Sequence, residues 1–273
     1  MTTPMRSRVA AIQMCSGPDV TANLETAARL IERAAADGAH MVTLPEYFAL
    51  LASDEKAKVA IREREGDGPI QAFLSEAAAR HSVWLVGGTV PLVSDDPGRV
   101  RNSTLVYDAH GVQQARYDKI HLFGYRNAHE EYDEARTIEA GDAVCTFASP
   151  LGRVGLAVCY DLRFPELFRA LDEVDLIVLP AAFTRTTGRA HWEVLLRARA
   201  IENLCYVAAP AQGGTHPCGR QTWGHSMIVD PWGSVVACRE EGEGVTTGEI
   251  DHELLTSVRD SLPALRHRRL APS

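Results

Sequence analysis

Short aliphatic and β-branched runs alternate along this chain with stretches of helical periodicity, and that alternation confines it to an α/β fold. Residues 8–14 (RVAAIQM) form an expected strand. Leu24, Ala27, Ala28, Ile31 and Ala35 then recur at helical spacing, and Gly38 closes the helix. Residues 41–44 make a second buried strand, ended by Pro45. Ile70, Phe73, Leu74, Ala77 and Ala78 form another helical stripe, followed by a strand over 83–86. The rhythm then changes to hairpins, 103–107 with 112–117 and 144–148 with 154–158, each around a Gly-containing turn. A strand over 176–179 and a helix over 192–203, with Glu193 and Arg197 four apart, lead to late strands over 206–209, 226–229 and 235–237. About ten strands with interspersed helices suit two packed sheets with helices outside, in one domain over residues 1–273. The polar, aperiodic stretch 124–136 is expected to be a long loop of the kind that carries function.

Composition narrows the function. A chain of 273 residues, 45% of them hydrophobic, is long enough for one large core. A net charge of −8 repels phosphate backbones and anionic lipid, so neither nucleic acid nor membrane is expected as a partner. No apolar run approaches the ~20 residues of a membrane span. The first ten residues, MTTPMRSRVA, hold no signal-type apolar segment, so a cytoplasmic location is expected. Cys15, Cys145, Cys159, Cys205, Cys218 and Cys238 form no C-x-x-C pair and are expected to be free thiols. The ten histidines are dispersed, and no G-x-S-x-G, P-loop, H-E-x-x-H or strand-linked G-x-G-x-x-G occurs, so neither metal nor cofactor is expected.

Three reactive residues each directly follow an expected strand: Glu46 in Met41-Val-Thr-Leu-Pro-Glu46, Lys119 in Tyr117-Asp-Lys119-Ile-His-Leu-Phe123, and Cys159 in Gly155-Leu-Ala-Val-Cys159-Tyr-Asp-Leu-Arg163-Phe-Pro-Glu166. Singly, a core thiol, a capping acid and a solvated lysine would explain them. Together their chemistry suits one reaction. A thiolate attacks a carbonyl, a nearby ammonium favours that thiolate and stabilises the oxyanion, and a carboxylate moves the proton to the leaving amine and later activates water. Tyr160 directly follows the cysteine, so its backbone N–H is expected at the oxyanion. Arg163, four residues past Cys159, suits two-pronged recognition of a substrate carboxylate, with a fixed ion pair to Asp161 or Glu166 as the alternative. Thr184, just past the strand that Pro180 ends, is a further candidate for the same pocket.

Leu44-Pro-Glu46-Tyr, Asp118-Lys119-Ile-His-Leu-Phe and Gly155-Leu-Ala-Val-Cys159-Tyr-Asp lie in an order and context that resembles the nitrilase, or carbon–nitrogen hydrolase, superfamily, over residues 8–269. The resemblance implies a Glu–Lys–Cys triad of Glu46, Lys119 and Cys159, a second glutamate at Glu134, and a four-layer α-β-β-α sandwich that forms a homodimer or larger homo-oligomer. For Glu134, the alternative is a solvated acid beside Glu130 and Glu131. Residues 187–202 resemble the amidase branch that holds ω-amidases and deaminated glutathione amidases, and residues 224–233 and 262–269 most resemble the latter. The activity this implies is that of an amidase that splits a small carboxylate-bearing amide through a thioester and releases ammonia. ω-Amidase action, N-carbamoyl amino-acid hydrolysis and an inactive scaffold are the alternatives. The Lys motif departs from those relatives in continuing past Phe123 as Gly-Tyr-Arg-Asn-Ala-His129.

Overall fold

Alternate residues of the first strand, β1 (Ser7–Gln13), enter different cores. Val9 and Ala11 join one buried cluster, and Ala10 and Ile12 join another. A strand apolar on both faces has to be covered twice, and the rest of the chain supplies the two covers. In this computed structural model, residues 7–126 and 131–270 are described. After β1 come α1 (Val20–Ala36), β2 (Met41–Thr43), a short α2 (Ala57–Ala60), α3 (Pro69–His81), β3 (Trp84–Val86), β4 (Val90–Val93), β5 (Val100–Tyr107) and β6 (Gln113–Asp118). There follow β7 (Gly124–Arg126), β8 (Glu131–Asp133), β9 (Thr146–Ser149), β10 (Gly152–Leu156), α4 (Pro165–Ala170), β11 (Leu176–Val178) and α5 (Arg185–Asn203). The chain ends with β12 (Tyr206–Ala209), β13 (Gly213–Thr215), β14 (Gln221–Trp223), β15 (Ser226–Val229), β16 (Val235–Arg239), β17 (Gly244–Ile250) and α6 (His252–Ser261).

The first sheet runs β17-β1-β2-β3-β5-β4, with β6 also on β5, and the second runs β16-β15-β12-β11-β10-β9. Each is parallel at its centre, through β1-β2-β3 and β10-β11-β12. Helices α1 and α3 lay Ala27, Ile31, Ile70 and Leu74 on the outer face of the first sheet, against Ala10, Ile12, Val42 and Leu85. Trp192, Leu196 and Ala200 of α5 belong to the other core with the strands of the second sheet. Between the sheets the approach is close: a Cβ on Gly248 of β17 would sit 2.9 Å from Ile228 of β15. The result is the four-layer α-β-β-α order that the resemblance implies.

The structure corrects the sequence-based expectation at several places. Among the described residues there are seventeen strands, not about ten. The stretch 124–136 is not a plain loop. β7 pairs with β8, Tyr125 opposite Tyr132, and a 3-10 turn over Glu134–Arg136 follows. Aromatic packing of Phe123 on Tyr125 and Tyr132, and Arg126 and Arg136 on Glu131, hold this hairpin where apolar alternation is missing. Asn127, Ala128, His129 and Glu130 lie outside the described residues. α5 begins at Arg185, seven residues before the expected start, because Thr184 caps it. All six cysteines are free thiols, as expected.

Candidate active site

The three strand ends that the sequence marks converge. After β2 the chain turns sharply through Pro45. Gly88, at φ +55°, allows this because a Cβ there would lie 2.2 Å from the Pro45 carbonyl oxygen. Glu46 is thereby directed inward and is 1% exposed. After β6 the Lys119 N–H donates to the Asn102 carbonyl at 3.0 Å, which sends the Lys119 side chain into the same interior, fully buried. After β10 the Cys159 backbone takes φ +48° and its N–H donates to Pro180 O at 2.9 Å. A left-handed conformation at a non-glycine residue is strained, and such strain clusters where a side chain must be presented sharply.

Asp161 fixes this turn. Its buried carboxylate accepts from Val158 N–H (2.8 Å), Tyr117 O–H (2.7 Å) and His121 N–H (3.0 Å), with His121 Nδ1 at 2.7 Å. One acid therefore joins the lysine segment to the cysteine segment.

The charged groups are fully engaged with one another. Lys119 Nζ donates to Glu46 Oε1 at 2.9 Å and to Glu134 at 2.7 and 3.0 Å. Glu46 also accepts from Asn102 Nδ2 and Ala182 N–H, both at 3.0 Å. Glu134 also accepts from Tyr47 O–H at 2.8 Å and Phe123 N–H at 2.7 Å. The acid placed by resemblance in the polar stretch is thus buried on the lysine and is not solvated. Burial by itself lowers the Lys119 pKa, but the Glu134 and Glu46 charges outweigh it and hold the ammonium charged. Burial likewise opposes ionised Glu134, and Lys119 more than offsets it, leaving its pKa lowered. Burial and then the charge of Glu46 push the Cys159 thiol well above its ordinary 9, against the pull of Lys119. The thiol keeps its proton until a base takes it.

Glu46, Glu134, Cys159, Tyr160, Arg163 and Thr184 all line one narrow cleft. Arg163 makes no ion pair with Asp161, whose oxygens are spent, or with Glu166. Its guanidinium lies over the Tyr160 and Phe183 rings, with His191 Nδ1 at 3.2 Å. The Thr184 hydroxyl is committed to Thr187, at 2.9 Å from its Oγ1, as the cap of α5. Sequence reasoning missed Asn102 and Tyr47, which hold the two glutamates, and Phe123, Phe183 and Arg220, which wall the cleft. Tyr47 carried a signal as the neighbour of Glu46, and Phe123 as the end of the Lys119 motif. Among the described residues no group of three or more His, Cys, Asp or Glu is placed to hold a metal ion, and no helix is long and apolar enough to cross a membrane.

A family model described as carbon–nitrogen hydrolase matches residues 8–260. Deaminated glutathione amidase of Yersinia enterocolitica is 40% identical over 272 residues, covering 98% of this chain and 94% of that one. Omega-amidase NIT2 of Xenopus tropicalis is 35% identical, covering 96% and 95%. The solved structure of Saccharomyces cerevisiae Nit3, a member of branch 10 of the nitrilase superfamily, matches with a TM-score of 0.86 at 31% identity and covers 97% of each chain. Facing sheets with helices outside define an α/β fold of the nitrilase type. The chain belongs to the carbon–nitrogen hydrolase family, whose members hydrolyse carbon–nitrogen bonds other than peptide bonds.

Proposed function

We propose that this protein is an amidase that hydrolyses a small carboxylate-bearing amide through a thioester on Cys159, with deaminated glutathione amidase as the favoured activity. The observation that carries this reading is the Glu46–Lys119–Glu134 network sharing a cleft with Cys159 and Arg163. Glu46 takes the thiol proton as Cys159 Sγ attacks the amide carbon, so no resting thiolate is needed. The Lys119 ammonium and the Tyr160 N–H stabilise the oxyanion. As the carbon–nitrogen bond breaks, Glu46 returns the proton to the leaving amine. It then takes a proton from water, whose oxygen attacks the thioester, and the thiol recovers that proton as the acid departs. Glu134 and its partners hold Lys119 in place, and Arg163 grips the carboxylate of the acyl part.

Similarity to an omega-amidase makes that activity the second reading. A panel of acidic and neutral amides, followed by product release and by the mass of the acyl-enzyme, separates the two. Arg163→Lys is expected to raise KM for acidic amides tenfold or more and to affect neutral amides much less, in line with ~1.5–3 kcal/mol for a charged hydrogen bond. Equal loss for both classes would assign Arg163 to holding the loop. An acyl adduct on Cys145 or Cys205 in place of Cys159 would overturn the nucleophile. We also infer action as a homodimer or larger homo-oligomer in the cytoplasm, supported by an exposed apolar face on α5 and by six free thiols.

A further inference from the structure

Arg163 ends the 3-10 turn Cys159–Arg163 and lines the cleft. Its guanidinium lies over the Tyr160 and Phe183 rings, 5.7 and 5.2 Å from their centroids. Attraction of this kind acts on the charge and directs no particular N–H. Among the described residues one polar atom supplies that direction, His191 Nδ1, 3.2 Å from Arg163 Nη1. A guanidinium carries donors and no acceptor, so Nδ1 accepts here and the ring proton sits on Nε2. His191 belongs to α5, is exposed, and does not itself line the cleft. An exposed hydrogen bond exchanges with water and adds little to the fold. What this one adds is aim: it fixes one end of the Arg163 fork from outside the cleft and leaves the other donors unspent.

The chemical type of the orienting group matters. An aspartate or glutamate at this place would hold the guanidinium more firmly. It would also neutralise the charge and compete with a substrate carboxylate for the same N–H edge. A neutral imidazole orients the fork and leaves its charge for the ligand. Asp161, the nearest acid in sequence, is kept away from Arg163 by its own bonds to Val158, Tyr117 and His121. Building on the amidase reading, in which Arg163 grips the acyl-side carboxylate, we propose that His191 is a positioning residue that sets the preference for acidic over neutral amides. It does so by aiming Arg163 without spending its charge.

The test is calorimetric titration of the Cys159→Ala protein with succinamate and with butanamide, which has a methyl group in place of the carboxylate. The ratio of the two affinities measures the preference. Adding His191→Ala is expected to lower that ratio about fivefold, through weaker succinamate binding alone. His191→Asn should restore it to within about twofold, because the asparagine Oδ1 takes the place of Nδ1 and is neutral. His191→Asp puts a charged oxygen in the same place, and should lower the ratio about tenfold or more, below His191→Ala. With Cys159 intact, the same substitutions should raise KM for succinamate in that order and leave kcat little changed. A ratio untouched by His191→Ala, or His191→Asp behaving as His191→Asn does, would overturn the proposal. So would equal weakening of both ligands, which would assign His191 to the packing of α5. Failure of the underlying reading looks different. A preference that survives Arg163→Met removes Arg163 as the anchor, and His191 with it. A preference that Arg163→Met abolishes and His191→Ala leaves alone removes His191 only. Absence of turnover in the unaltered enzyme removes the amidase reading, and the binding comparison still decides the role of His191.

Discussion

At the scale of single residues, the site is a balance of charges in which each group sets its neighbour's proton. Burial, and after it the charge of Glu46, pushes the Cys159 thiol up, while the same Glu46 is the base proposed to remove its proton. These two roles have opposite signatures. Glu46→Gln should cut turnover by about 10²-fold or more through loss of the base. It should also make the thiol more acidic, so iodoacetamide should alkylate Cys159 faster at pH 8 than in the unaltered enzyme. Slower alkylation, followed by peptide mass, would contradict this account of the charges. The buried lysine has its own pH signature. Glu134 has a lowered folded pKa, so its contribution to stability is present above the ordinary 4.5 and is lost as pH falls through the lower folded value. Lys119 has a raised folded pKa, so its contribution is present below the ordinary 10.5 and is lost only as pH rises further, through the folded value. Between 4.5 and 10.5 the pair contributes in full. Glu134→Gln should cost about 3 kcal/mol in urea unfolding at pH 7, the low end for breaking a buried pair because Glu46 remains on Lys119. The deficit should shrink at pH 3, and an equal deficit at both pH values would rule out an ionised Glu134.

At the scale of elements, the proposed mechanism depends on holding two strand ends in register, and Asp161 does this with bonds to both. Asp161→Ala should cost about 3 kcal/mol or more, as loss of a buried hydrogen-bonded charge. It should also lower kcat and raise KM for the acidic amide, because Cys159 and Arg163 share the 3-10 turn that Asp161 holds. A rise in KM alone would contradict that role. The same scale shows what was legible beforehand. Strands that alternate or run apolar, and the reactive residues directly after them, could be found because side-chain period and strand ends are local properties. Glu134 was placed only by resemblance, since nothing in 130–136 distinguishes one acid from its neighbours. β4 was missed because Pro91 interrupts it, and its place at the edge of the sheet tolerates the missing N–H. β17 was missed because Thr246 and Gly248 give its buried face little apolar signal. Arg220 and Asn102 became site residues through tertiary folding alone.

At the scale of the whole molecule, the described apolar side chains pack into two buried clusters, and an exposed apolar stripe is left on α5. Val194 and Ile201 of α5 are 68% and 45% exposed and lie seven residues apart, on one helical face. The turn before β16 packs beside them: Arg197 Nε donates to Gly233 O at 2.7 Å, and a Cβ on Gly233 would meet Ile201 at 2.5 Å. That turn sets Trp232, 62% exposed, next to the stripe, and Val236 of β16 is 46% exposed. Apolar side chains this large and this close are costly to leave in water, and a second copy offers the same stripe in return. Sedimentation at micromolar concentration is therefore expected to show at least a dimer, and Trp232→Glu should shift it to monomer by burying a charge in the seam. The consequence reaches the cleft, because α5 begins at the Thr184 cap and carries Thr187 and His191 beside Arg163. A monomeric Trp232→Glu protein should retain its fold by circular dichroism yet show a higher KM for acidic amides, as the helix loses its outer support. Monomer in the unaltered protein would remove the dimer, and a monomeric variant with unaltered KM would confine the seam to assembly.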